Sequence, residues 1–269
     1  MKKTKIDWAD SSWNPVSGCL HGCEYCYARG IANRFGGYNI DPVGESTFIC
    51  EKIDGTKVAM LTHQLSKIDK SGNVHVAPYP YRFMPTFHQY RLGEPAKWTT
   101  PRTIFVCSMA DLFGDWVPYE WIQKVFEACK AAPQHRYLFL TKNPDRYINL
   151  AKQGLLPMEE NFWYGSSTPT MDYKFFWCTG ANTFVSIEPI LEPFTDLLDD
   201  SIAAVKRCGW IIVGAETGNR KEKVIPKKSW IMELKKTAAE CGVPIFMKES
   251  LREIMGDDFI RQYPWGDRT

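Results

Sequence analysis

Short apolar runs recur along the chain, and each stops at small or polar residues. Thr103-Ile104-Phe105-Val106-Cys107 runs into Ser108-Met109-Ala110-Asp111, and Tyr137-Leu138-Phe139-Leu140 into Thr141-Lys142-Asn143-Pro144. Phe162-Trp163-Tyr164 leads to Gly165-Ser166-Ser167-Thr168, and Thr183-Phe184-Val185-Ser186-Ile187 to Glu188-Pro189. Trp210-Ile211-Ile212-Val213 precedes Gly214-Ala215-Glu216-Thr217-Gly218, and Val243-Pro244-Ile245-Phe246-Met247 precedes Lys248-Glu249-Ser250. Continuous β-branched and aromatic runs of this length suit strands buried on both faces, as in parallel sheets. A seventh strand is expected around Ser12 to Ser17.

Helical patterns lie between several of these runs. Trp121 to Ala131 places Ile122, Val125, Phe126 and Cys129 on one face, with Pro118 suited to a helix start. Ser229 to Cys241 places Ile231, Leu234, Ala238 and Cys241 on one face and stops at Gly242. Asp145 to Gln153, ended by Gly154, is a weaker pattern of the same kind. Alternating strand and helix predicts an α/β fold with right-handed crossovers, and seven strands suit a partial or full (β/α) barrel. A doubly wound open sheet gives the same local pattern. In either, functional groups gather where strands end, and that is where the polar tails fall.

Residues 38–100 break this rhythm with Gly, Pro and polar clusters. A hairpin is expected over Thr47 to Met60, turning at Asp54-Gly55, and Val74-His75-Val76 forms a second short alternation. The stretch reads as an insertion in one barrel domain spanning residues 1–269. That length and a composition of 44% hydrophobic and 24% charged residues allow a sizeable core.

No apolar run approaches the roughly 18 residues of a membrane span, and the basic N-terminus lacks the apolar stretch of a signal peptide. The expected location is cytoplasmic. A net charge of +2 gives no support for a protein held on nucleic acid by long-range electrostatics, though a local basic groove stays compatible with it.

Nine cysteines in a cytoplasmic chain stay reduced. Cys50, Cys107, Cys129, Cys178, Cys208 and Cys241 are scattered, most beside apolar residues, and read as small buried hydrophobes. Cys19, Cys23 and Cys26 fall within eight residues. Their C-x3-C-x2-C spacing lies on an expected loop, with Asn14-Pro15 and Gly18 before it and Gly22 inside it. A [4Fe–4S] cluster usually takes four cysteines; three leave one iron open to a further ligand. The competing reading is zinc held by the cysteines and His21. His21 is awkwardly placed between the first two cysteines, and no second ligand pair follows.

In spacing, and in the aromatic Tyr25 before the last cysteine, the motif resembles the radical S-adenosylmethionine (SAM) superfamily. That resemblance implies a (β/α) barrel, a [4Fe–4S] cluster on Cys19, Cys23 and Cys26, and SAM chelated to the open iron. It also implies an outside electron donor of flavodoxin or ferredoxin type and a 5′-deoxyadenosyl radical that takes hydrogen from substrate. Further segments resemble a narrower, uncharacterised radical-SAM-like family of phages and bacteria. They are Trp13 to Cys19, Pro85-Thr86-Phe87-His88, Ser108 to Phe113, Leu140-Thr141-Lys142, Ser186 to Pro189 and Val213 to Gly218.

The resemblance suggests roles for the strand ends. Tyr25 packs near adenine. Ser108 and Asp111 occupy the place where the superfamily holds the SAM amino group, although its Gly-Gly-Glu signature is absent; as a turn residue and a cap they need no ligand. Lys142 can pair with the SAM carboxylate or be a solvated loop lysine. Ser166 and Ser167 are candidates for ribose or carboxylate.

Glu188, an acid ending a buried strand, needs a partner: a ribose hydroxyl, Lys142 or Lys248. Glu216 is a candidate for adenosine or substrate, and Lys248 for substrate or an ion pair with Glu216 or Glu188. Cys107 is a candidate hydrogen donor, with burial as its plainer explanation. A nucleotide or nucleic-acid substrate, met by His88, Tyr90, Arg91 and Trp98, stands beside a small metabolite or peptide. The non-enzymatic alternative is a zinc- or cluster-stabilised binding module.

Overall fold

In a computed structural model, the described residues are 4–36, 47–51, 54–69, 71–172, 174–194, 207–217 and 220–266. Thirteen strands are found among them. Seven are hydrogen-bonded in the order β1 (Ser11–Trp13), β8 (Thr103–Val106), β9 (Arg136–Thr141), β10 (Phe162–Ser167), β11 (Asn182–Ile187), β12 (Ile211–Val213) and β13 (Ile245–Met247). The pairs β1/β8, β10/β11, β11/β12 and β12/β13 are parallel. The α/β class and all six strands after the insertion are as the apolar runs predict.

The chain divides into two compact units, one of Met1–Asp10 with Leu138–Thr269 and one of Ser11–Tyr137. In the first, the alternation of each strand sorts its residues to two faces. Ile187, Ile211, Val213, Ile245 and Met247 pack with Ile231, Leu234 and Ala238 of a helix over Lys228–Glu240. Gly242, at φ 68°, ends that helix, and Val243 N–H donates to Ala238 O at 2.9 Å, the left-handed stop that glycine allows.

The opposite face carries Phe184, Trp210 and Phe246, which join Trp8, Tyr263 and Trp265 in one aromatic cluster. The Phe184 ring lies over Gly165, where a Cβ would sit 2.2 Å from it. Further along the strands this face turns polar, at Ser167 and its register partner Ser186.

In the second unit, the expected strand around Ser12 to Ser17 is split. β1 joins the parallel sheet, while β2 (Val16–Ser17) pairs antiparallel with β7 (Thr86–His88). The expected hairpin forms between β3 (Thr47–Glu51) and β4 (Lys57–Leu61), and β4 runs parallel to β7, giving a second sheet β2-β7-β4-β3. Val74–Val76 (β6) pairs with Ser66–Ile68 (β5) as a separate ribbon. The start of the expected insertion, at residue 38, lies outside the described residues, as does Gly218.

Helix α1 (Tyr27–Phe35), not expected from its pattern, follows the cysteine motif directly. Helix α2 covers Tyr119–Lys130 and buries Trp121, Ile122, Val125, Phe126 and Cys129; α3 covers Pro144–Lys152. Among the described residues, no helix is long and apolar enough to cross a membrane. Of the scattered cysteines, Cys107, Cys129 and Cys208 are buried, Cys178 and Cys241 half-buried, and Cys50 exposed. The expectation of small buried hydrophobes therefore describes three of the six.

Candidate functional site

The cysteine loop belongs to the second unit and is pinned at both ends. Gly18 N–H donates to Met109 O at 2.9 Å, and Cys19 N–H to Phe83 O at 3.2 Å. Gly18 has φ +85°, and a Cβ there would stand 2.2 Å from Met84 O. Only glycine fits this approach of two backbones. At the other end Cys26 caps α1: its Sγ accepts from Arg29 N–H at 3.4 Å, and Cys26 N–H turns back to Cys23 O at 3.2 Å.

Cys19 and Cys26 pack on one apolar cluster of Ala28, Ala32, Tyr79, Phe83 and Met109. Burial pushes the Cys19 thiol up to about 12, against a hydrogen bond from the His21 backbone and aided by the charges of Asp111, Cys23 and Cys26. Among the described residues no three His, Cys, Asp or Glu side chains are gathered closely enough to hold a metal ion. The donor set fits an iron–sulfur cluster in kind: three thiols on one short loop, which bind metal as thiolates.

The loop is surrounded by groups from the end of β8. Asn14 Oδ1 accepts from Met109 N–H at 2.9 Å and from Ser108 Oγ at 3.2 Å, so Ser108 is bound within the protein. Tyr27 Oη donates to Ser108 O at 2.8 Å. Asp111 is buried, with Oδ2 2.7 Å from His21 Nε2 and Oδ1 accepting Phe113 N–H at 3.0 Å. Cys107, just before them, is buried at φ 61°, its thiol pushed up to about 12 by burial. Tyr25 is half-buried in the loop. His88 is buried with Nε2 2.8 Å from Ser17 Oγ and Nδ1 3.4 Å from Tyr90 Oη.

The remaining predicted residues belong to the first unit. Lys142 Nζ donates to Ser167 Oγ at 3.0 Å. Ser166, although adjacent, points the other way and accepts from Phe176 N–H at 2.8 Å. Lys248 Nζ donates to Glu188 Oε2 at 2.9 Å, which selects one of the partners foreseen for Glu188. Gly214 makes this bond feasible, since a Cβ there would meet Lys248 Cδ at 2.8 Å. Burial alone would lower the Lys248 pKa, but the charge and hydrogen bond of Glu188 outweigh it, and the net direction is upward.

Glu216 pairs with Arg220 rather than Lys248, through two contacts of 2.7 Å that hold its carboxyl below the usual range. Glu188 Oε1, Ser186 Oγ and Thr168 Oγ1 are buried with no hydrogen-bond partner among the described residues. Sequence reasoning missed Asn14, Tyr27 and Ser186. Asn14, beside Pro15, carried the signal of a turn, and Asn14 and Ser186 both lay in resembling segments without being given a role.

Fold and loop together define an α/β protein with a three-thiol loop fastened to a strand end. Residues 3–251 match the family described as "Protein of unknown function (DUF5131)", and the chain belongs to that family. No curated protein and no solved structure matches it.

Proposed function

We propose that the protein is a radical SAM enzyme built on a partial (β/α) barrel of that type, acting on a substrate still to be identified. The observation that carries this reading is the C-x3-C-x2-C loop, pinned by Gly18 and capped by Cys26, with three thiols and no fourth cysteine in it. When bound, the cluster and SAM supply one-electron cleavage of SAM to methionine and a 5′-deoxyadenosyl radical, which takes hydrogen from substrate. Cys19, Cys23 and Cys26 hold the cluster. An outside flavodoxin- or ferredoxin-like protein delivers the electron.

In the first unit, Glu188 Oε1 and Ser186 Oγ support a role in holding a polar ligand. A buried acceptor and a buried hydroxyl without protein partners each cost stability until one is supplied. Lys142, Ser167 and Lys248 add donors at the same strand ends. SAM, with hydroxyl, ammonium and carboxylate groups, has complementary chemistry. A nucleotide or nucleic acid is the substrate class we carry forward, on resemblance alone.

The competing reading is a zinc-stabilised binding module on the same three cysteines. One anaerobic experiment separates the two. The protein is reconstituted with iron and sulfide, then given dithionite and SAM, and 5′-deoxyadenosine is measured. Its formation is expected; stoichiometric zinc with no SAM binding by fully reconstituted protein overturns the reading.

A further inference from the structure

The cysteine loop is fastened at its middle as well as at its ends. His21 lies between the first two cysteines, and its partner Asp111 lies 90 residues further along the chain. The Asp111 side chain is 7% exposed, and Phe113 N–H fixes its other oxygen. The imidazole also stands edge-on to Trp116, with centroids 4.8 Å apart and planes at 78°. Gly114 leaves room for that indole, because a Cβ at 114 would strike the Trp116 ring at 2.3 Å. A two-oxygen anchor, a bound imidazole and an aromatic wall thus converge on His21, between the first two cysteines.

We propose that the His21–Asp111 bond, backed by Trp116, is a latch that pre-orders the loop for metal uptake. The proposal rests on the reading of the loop as an iron–sulfur site. His21 and Asp111 are positioning residues in it, not ligands. Ordering a loop before its ligand arrives removes conformational entropy that binding would otherwise have to overcome. Groups that hydrogen-bond a metal ligand typically contribute about 10–100-fold in metal affinity, and the His21 backbone hydrogen-bonds Cys19.

The test uses the full-length apoprotein under anaerobic conditions, with Co²⁺ as the probe and thiolate-to-cobalt absorption as the readout. Iron per folded chain is counted after reconstitution in parallel. Asp111→Ala and His21→Ala are each expected to weaken Co²⁺ binding about 10–100-fold. The double variant should be no weaker than either single one, because both remove the same bond. Asp111→Asn, which keeps an acceptor, should recover most of the affinity. Circular dichroism confirms that each variant is folded, and His21→Gln, at a position 22% exposed, substitutes for any that is not.

Unchanged affinity in the single variants overturns the latch while leaving the iron–sulfur reading intact. Multiplying losses in the double variant overturn it too. Loss of binding in His21→Ala with none in Asp111→Ala also overturns it, since His21 would then be a ligand. A wild-type chain that takes up neither Co²⁺ nor iron defeats the iron–sulfur reading itself.

Discussion

Two glycines of the cysteine loop share a left-handed backbone but not a fate on mutation. Gly18 and Gly22 have φ +85° and +74°. An alanine at either pays the left-handed penalty of about 1–2 kcal/mol. At Gly22 a Cβ meets nothing within 4 Å, so the cost ends there. At Gly18 it meets Met84 O at 2.2 Å and Phe83 O at 2.7 Å, backbone atoms that no rotamer change can move. Forced displacement of packed groups adds roughly 1–3 kcal/mol, for a total of about 2–5.

Urea unfolding of the apoprotein, followed by circular dichroism, measures both. Gly18→Ala should be less stable than Gly22→Ala by about 1–3 kcal/mol, or several degrees in melting temperature. On the proposed iron–sulfur reading it should also lose iron uptake, because Cys19 follows directly. Losses equal to within roughly 0.5 kcal/mol, the scatter of surface substitutions, would refute the steric argument.

Two further outcomes follow from buried ionisable groups. Burial, with a smaller effect of the Arg91 charge, lowers the His88 pKa from 6.5 to about 3. Between those values the unfolded chain takes a proton that the native one refuses, so native stability falls as pH drops from about 6.5 towards 3, by up to about 1.4 kcal/mol per unit. His88→Gln should flatten that slope in urea unfolding at several pH values; an unchanged slope would assign the acid sensitivity elsewhere. Lys248→Met leaves Glu188 without its cation and should cost about 1–3 kcal/mol, less than a fully buried pair because both side chains keep some exposure. Adding Glu188→Gln should restore part of the loss, and a double variant that is merely additive would contradict the pairing.

The sequence by itself marked most strands of the parallel sheet and the side chains at their ends. Apolar runs ending in polar tails marked β8 to β13, since a strand buried on both faces needs an unbroken run of such residues. The helix over Lys228–Glu240 was legible within one residue from its apolar face and Gly242. The three-cysteine loop was equally plain, because its spacing is local. Helix α1 was not, because only Ala28 and Ala32 of it are buried.

Tertiary structure decided the partners. Ser166 and Ser167 looked alike as candidates, yet alternation turned them to opposite faces, one to Phe176 and one to Lys142. Glu188 had two lysines in prospect; register and the bare Cα of Gly214 gave it Lys248. Asp111 read as a cap or a cofactor contact, and folding brought it to His21 across 90 residues. Periodicity records which side of an element is buried, but which polar group meets which depends on strand register and loop path, and neither is written in local sequence.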